Sequence, residues 1–529
     1  MSPNTDSTGS TKRSANAAAG RPRFARMLRA GAACVCSGLL TACIFPAMGP
    51  DYKRPAVPLP SAWRVDASEA TDIVNTAWWK QFGDQDLDNL IDAALLANSD
   101  LLIATARVEE YAGKLETTNS QYFPQIGYDV GLERDQRSQE VPELLRIGQP
   151  VTFNIWKYMA TISYEIDLWG RVRRSYEASR AQLLSTEDAR HTVMLTVVTT
   201  VANTYIQLLE ADRTLEIAQQ TLDSFKKTLA VTEKKWHGGS ATEIDVERAR
   251  ADLEDQAAVI PDLERQIAFL EDQLSTLSGA NPGPVPRGRL DKLVLAQVPG
   301  GIPADVLTRR PDVLAAEHNL VAANASIGIA KTEYFPTFSL TSAYGQSSDE
   351  TEWLLAETAR TGILAIDFIG PIFSFGRIEG DVKKAKAMTK GDRDRYLQTI
   401  QNALREIDDA LVYNQKSRVR LAALDRHVQA LQRADDLSTV RFKGGSYTDL
   451  DVFEADRRVL NAQNEEIHGV LDEYLALVSV YKALGGGWMV QADKELASKR
   501  IAAAPTPTPA APAPTAPTTA TVTKDVTAP

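Results

Sequence analysis

Four stretches of the chain alternate apolar and polar residues with period two. Two much longer stretches repeat apolar residues every three or four positions. In the first alternating pair, Ile126, Tyr128, Val130 and Leu132 are interleaved with polar residues and glycine. Tyr158, Ala160, Ile162, Tyr164, Ile166 and Leu168 then alternate with Lys157, Thr161, Ser163, Glu165 and Asp167. The second pair has Phe338, Leu340 and Tyr344 against Thr337, Ser339 and Thr341, then Leu364, Ile366 and Phe368 around Asp367. This period predicts four strands with one apolar face. Strands of about ten residues with a polar second face suit a transmembrane barrel with a wet lumen. A half-buried soluble sheet has the same alternation.

The long stretches shift that balance. Arg171 to His237 contains neither proline nor glycine, and Arg377 to Lys443 has no proline and only Gly380 and Gly391, near its start. Each predicts a helix about 100 Å long at roughly 1.5 Å per residue, a length typical of extended bundles rather than globular domains. Leu195, Val198, Ala202, Tyr205 and Leu209 follow 3-4-3-4 spacing, as in a coiled-coil seam. Ile400, Leu404, Ile407 and Leu411 do likewise, as do Leu421, Leu424, Val428 and Leu431. Thr192 to Leu209 is uncharged, but its five threonines, Asn203 and Gln207 argue against a membrane span.

The two halves repeat each other. Asp100 to Pro124, ending Tyr122-Phe123-Pro124, matches Asp312 to Pro336, ending Tyr334-Phe335-Pro336, at an offset of 212. Leu168-Trp169-Gly170-Arg171 matches Ser374-Phe375-Gly376-Arg377 at 206. Gly238-Gly239-Ser240 and Thr242 to Val246 match Gly444-Gly445-Ser446 and Thr448 to Val452, also at 206. The six-residue difference falls within the strand pairs, as expected of an exposed hairpin loop. Both GGS segments predict sharp turns: glycine permits a left-handed helix cap, and Thr242-x-x-Asp245 and Thr448-x-x-Asp451 read as capping boxes. Pro261 is expected to kink the first return helix.

Composition narrows the chemistry. All three cysteines, Cys34, Cys36 and Cys43, lie in the first 43 residues, which excludes a disulfide scaffold or thiolate centre in the rest. The five histidines lack HxxxH spacing and are expected to be scattered surface or packing residues; no phosphate-binding or hydrolase glycine motif occurs. No enzyme, metal site or cofactor is expected. Six basic residues, the apolar run Ala30 to Ala42 and the lipobox Leu40-Thr41-Ala42-Cys43 read as a lipoprotein signal with Cys43 lipidated. Either Met1 or Met27 can serve as the start. The whole chain has a formal net charge of −11, and losing residues 1–42 makes it more negative, so nothing suggests nucleic acid. Four strands cannot close a barrel, and open edges are not tolerated in lipid. Three copies supply twelve strands, which makes a homotrimer the simplest assembly.

Several ordered motifs carry a family resemblance: Pro50-Asp51-Tyr52-Lys53-Arg54-Pro55 after the lipobox, Trp78-Trp79-Lys80-Gln81-Phe82-Gly83-Asp84, Leu307 to Val313 with Arg309-Arg310-Pro311-Asp312, and Tyr481 to Trp488. With these, residues 43 to 490 resemble the TolC-type outer membrane factors, specifically the lipoprotein branch of tripartite, RND-type efflux systems. The resemblance implies a mainly α fold with a β transmembrane part. A trimeric α-helical barrel would join a twelve-stranded β-barrel, four strands per protomer, in the outer membrane of a Gram-negative bacterium. A periplasmic adaptor and an inner-membrane pump would complete a passive conduit. The implied division is 1–42 signal, 43–82 lipid-anchored linker, 83–290 first repeat, 291–490 second repeat and 491–529 disordered Pro/Ala/Thr-rich tail. The first repeat holds hairpin 123–169, long helix 171–237 and return helix 240–278; the second holds 336–375, 377–443 and 446–484.

The same resemblance implies a periplasmic gate at Leu450, Glu454 and Arg457 with Asp449 and Asp451 beside them, and Glu454 reaching Arg457 three residues on. It implies adaptor docking at Gly239, Thr242, Gly445 and Thr448. If the strand faces are assigned correctly, Asp129, Glu133, Glu165, Asp167 and Asp367 line an acidic lumen. Arg310-Pro311-Asp312 is expected to be a structural helix start. The alternatives are an outer channel for protein secretion and a lipid-anchored coiled-coil scaffold without a pore.

Overall fold

A computed structural model describes residues 46–57, 77–136, 152–295, 309–485 and 487–503. Cys43 and the 1–42 signal lie outside the described residues. In chain order the elements are α1 (Gln85–Ala97), α2 (Ser99–Ser120), β1 (Gln125–Gln136), β2 (Thr152–Ile166), α3 (Arg171–His237), α4 (Glu243–Leu277), α5 (Pro311–Thr332), β3 (Thr337–Ser348), β4 (Arg360–Ile369), α6 (Arg377–Lys443), α7 (Asp449–Leu484) and α8 (Met489–Ala503). Helix, two strands, long helix and return helix thus follow one another twice. α4 runs on through Pro261.

The strands form one antiparallel sheet in the order β1-β2-β3-β4, with β1 and β4 as its edges. Its register places Ile126 opposite Ile162, Ile162 opposite Ser342 and Ser342 opposite Leu364, so Ile126, Ile162 and Leu364 share a face. That face lies open: Ile126 is 78% exposed and Tyr128 82%.

The main core sits where α3 meets the return helices. Its seam residues Val198, Ala202 and Tyr205 are fully buried. The 18-residue apolar window of α3 is long enough to cross a membrane, yet 67% of it is buried within the protein, which makes it a core segment. A short turn at Trp78–Phe82 fills one end of this core. Trp78 stacks on Tyr481 at 5.0 Å, Phe82 meets Tyr474 edge-on at 5.7 Å and Trp79 meets Trp488 at 4.8 Å. Burial pushes the Tyr474 hydroxyl up to about 12, and it donates to the Leu293 carbonyl at 2.9 Å. Asp84 caps α1 through the amides of Asp86 and Leu87 and accepts the Tyr205 hydroxyl at 2.9 Å.

The segment after the lipobox straps the two halves together. Arg174, almost fully buried, donates to the Met48 carbonyl at 3.0 Å and to Asp51 at 2.8 Å. Arg54 grips Glu317 on α5 with two bonds of 2.7 and 2.6 Å. Gly49 leaves no room for a side chain, because a Cβ there would lie 2.6 Å from the Gly328 backbone. Arg310 is a buried anchor at the start of α5. It binds Asp312 at 3.0 and 2.7 Å, Glu406 at 2.7 Å and the Ala483 carbonyl near the end of α7 at 2.8 Å.

One expectation is corrected. Residues 491–529 were expected to be without structure, but Met489–Ala503 is helical. The reason is composition and anchoring: the prolines begin only at Pro505, Trp488, Met489 and Leu496 are buried, and Arg190 and His191 of α3 both bind Asp493. Residues 504–529 lie outside the described residues.

Candidate functional site

Each long helix ends in the same turn. After α3, the Ser240 amide donates to the Lys235 carbonyl at 2.8 Å, and Gly239 has φ of +75°. After α6, the Ser446 amide donates to Arg441 at 2.9 Å, and Gly445 has φ of +76°. Nothing lies within 4 Å of a Cβ built at either glycine, so backbone conformation rather than space requires glycine here. Thr242 and Thr448 then cap the return helices. The Thr242 amide and hydroxyl donate to Asp245 at 2.9 and 2.7 Å; those of Thr448 donate to Asp451 at 2.7 and 2.7 Å. These bonds hold both carboxyls below the usual carboxylate range, hydroxyl first and amide second. Lys235, at the end of α3, adds to the effect on Asp451. Gly239, Thr242, Gly445 and Thr448 are all exposed.

The proposed gate residues fall on the first turns of α7. Asp449 and Leu450 are half-buried and Asp451 is taken up by its cap. The expected Glu454–Arg457 pair does not form. Glu454 binds Arg458 at 2.5 Å, one full turn on, where α-helical geometry brings the side chains together better. Arg457 turns instead toward α3. Its guanidinium lies 4.6 Å from the Phe225 ring centroid, and its Nη1 is 3.5 Å from the Thr228 hydroxyl. Sequence reasoning missed Phe225 and Thr228, which lie more than 220 residues away. It also missed Asp435 on α6, whose Oδ1 is buried without a hydrogen-bond partner. Burial, then Asp456 on α7 and Asp436, push the Asp435 carboxyl up.

On the sheet, Asp129, Glu133, Glu165 and Asp367 share the polar face. Glu165 and Asp367 sit either side of Ser339. Two of these four acids are paired. Asp129 binds Lys157 at 2.8 Å, and Glu165 binds Arg171 through two bonds of 2.8 and 2.6 Å. Asp167 lies one residue beyond β2 and accepts the Arg173 amide at 3.0 Å at the start of α3, so it braces a corner. Two of the histidines act as packing residues, each with its own acid: His318 binds Asp188 at 2.8 Å and His468 binds the buried Glu210 at 2.8 Å. Among the described residues no group of three or more His, Cys, Asp or Glu is arranged to hold a metal ion.

The profile of the outer membrane efflux protein family matches residues 90–280 and 302–486. The chain belongs to that family. It is similar to the solvent efflux pump outer membrane protein SrpC of Pseudomonas putida, with 31% identity over 450 residues, covering 83% of this chain and 95% of that one. It is also 29% identical over 456 residues to the cation efflux system protein CusC of Escherichia coli O157:H7, covering 85% and 96%. Among solved structures, the outer-membrane channel OprN aligns with a TM-score of 0.76 at 28% identity, covering 83% of this chain and 99% of that one. The open-state MtrE outer membrane channel of Neisseria gonorrhoeae aligns with 0.74 at 27%, covering 84% and 99%. This outer membrane efflux protein is therefore the outer-membrane channel of an efflux system in a Gram-negative bacterium, rather than a protein-secretion channel or a scaffold without a pore.

Proposed function

We propose that three copies close into one passive duct. The observation that carries this is the four-stranded sheet, whose edges β1 and β4 are open and whose apolar face is exposed. An open sheet cannot stand in lipid, whereas twelve strands close a barrel. Its polar face, with Asp129, Glu133, Glu165 and Asp367, lines the lumen, and Asp167 braces the mouth. Helices α3 and α6, each of 67 residues, continue the barrel into the periplasm. The two halves act as structural repeats over 83–290 and 291–490. Cys43 carries lipid that adds an anchor in the outer membrane.

The first turns of α7 narrow the far end of the duct. Threefold repetition places Leu450 and the charged Asp449, Asp451, Glu454 and Arg457 in rings. A periplasmic adaptor docks at the two tips, on Gly239 with Thr242 and on Gly445 with Thr448, and an inner-membrane pump supplies the driving force. The cargo is small molecules; the protein performs no reaction and needs no cofactor.

The test is paired. Purified protein is run unheated and heated on a denaturing gel, then reconstituted in planar bilayers. A heat-dissociable trimer that conducts ions supports the reading; a folded monomer without current overturns it.

A further inference from the structure

Phe375 has a φ of 49°, the only positive value outside glycine among the described residues. Its ring is 91% exposed, and Ile372 and Phe373 just before it are exposed too. A left-handed backbone disfavours a bulky residue, and a contiguous apolar patch in water marks a contact surface.

The first half shows what such a corner does. Trp169 holds the place in Leu168-Trp169-Gly170-Arg171 that Phe375 holds in Ser374-Phe375-Gly376-Arg377, at an offset of 206. Trp169 stacks on Phe335 at 4.6 Å, and its Nε1 donates to the Pro336 carbonyl at 2.7 Å. Phe335-Pro336 corresponds to Phe123-Pro124 at an offset of 212, and Phe123 is itself exposed. One half of this contact is therefore repeated at each open edge of the sheet, where Phe375 meets only its neighbour Phe373 edge-on at 4.5 Å.

The sheet obeys the same two offsets. Gln125 pairs with Ser163 in the first hairpin and Thr337 with Ile369 in the second, positions related by 212 and 206. Between the hairpins, Ala160 faces Tyr344 and Ile162 faces Ser342. Transferring that join to the open edges puts β4 in the role of β2 and β1 in the role of β3. Ile366 then stands opposite Leu132, and Phe368 opposite Val130.

We infer that copies of this chain join corner to corner and edge to edge, with Phe375 of one copy stacked on Phe123 of the next and Ile366 opposite Leu132. This rests on the assembly proposed above and fixes its register. The faces agree, since Ile366, Phe368, Leu132 and Val130 are all exposed apolar residues on one side of the sheet. A slip of one residue would set Ile366 against Gly131 or Glu133 and mix the faces. The same offsets bring exposed Ile372 beside exposed Ile126.

Cysteine cross-linking tests this on a clean background, because all three native cysteines lie at or before position 43. Outer membranes carrying Ile366→Cys with Leu132→Cys are oxidised with copper phenanthroline and run without reductant. Directly opposed Cα atoms, about 4.5–5.5 Å apart, lie within disulfide reach. Partners four residues away, Tyr128→Cys or Gln136→Cys, are displaced by about 13 Å. The opposed pair is expected to link copies at least tenfold more than either displaced pair. In addition, Phe123→Ala and Phe375→Ala each lower the temperature at which the trimer dissociates, and the double variant lowers it no further than the larger single effect. A heat-dissociable trimer that links through a displaced pair, or in which the two alanine effects add, overturns the inferred contact and leaves the trimer standing. A wild-type monomer overturns both.

Discussion

Arg457 on the first turns of α7 lies over the ring of Phe225 on α3, with its guanidinium carbon 4.6 Å from the centroid. This contact ties the return helix of the second half to the long helix of the first. In the proposed gate it would oppose an outward swing of α7. A cation–π contact at a partly desolvated site contributes about 1 kcal/mol. Replacing Arg457 with alanine, or Phe225 with leucine, is expected to shift the closed-to-open balance by roughly fivefold per copy. Single-channel open probability checks this, and equal effects from the two variants would show that they act through one contact.

The half-buried Asp435 carboxyl, with its Oδ1 enclosed and unpaired, is expected to make the junction of α6 and α7 sensitive to pH. Its folded-state pKa is raised by burial and by Asp456 and Asp436. The protonated form is thus favoured in the folded state. The junction is at its most stable below the ordinary carboxylate range and loses stability as pH rises from that range through the raised value. Asp435→Asn is expected to slow hydrogen exchange in this part of α6 at pH 7 and to change little under acid. Faster exchange at pH 7 would contradict the assignment.

The tips depend on backbone conformation. Gly445→Val forces a branched residue into the left-handed region, at a cost of about 1–2 kcal/mol, with no neighbouring atom to clash. Thr448→Ala removes the cap and costs about 1 kcal/mol. Both changes are expected to fray the start of α7 in hydrogen exchange and to weaken adaptor binding in pull-down, while leaving conductance of the purified channel intact. Lost conductance would place these residues in the duct itself.

Arg310 makes bonds to Asp312, Glu406 and the Ala483 carbonyl from a buried position. Arg310→Ala leaves those acceptors without their cation, and is expected to cost about 3 kcal/mol. The measured midpoint of thermal unfolding checks this; a change below about 0.5 kcal/mol, typical of surface substitutions, would contradict the anchoring role.

Much of this architecture was legible in the sequence because it is punctuated. Gly170 and Gly376 stand at the starts of α3 and α6, and Gly238 and Gly444 at their ends, so the helix limits coincide with residues that break helices. The alternation at Ile126, Tyr128 and Val130 set the strand faces directly. The return helices begin at Glu243 and Asp449, three residues after the positions read from sequence, because Thr242 and Thr448 act as caps. What the sequence could not show were choices between partners. Glu454 has arginines at both three and four residues on, and helix geometry favours Arg458. Arg457 finds Phe225, and Asp435 finds Asp456, only once the long helices pack. The helix at Met489–Ala503 depends on the long-range clamp of Asp493 by Arg190 and His191.

The central claim is a gated duct built from three copies, and conductance in planar bilayers tests it most directly. Wild-type trimer is compared with the Arg457→Ala variant under the same voltage and salt. Brief or small wild-type openings, with longer or larger ones in the variant, are the predicted result. A well-folded trimer that passes no current in either form would contradict the account.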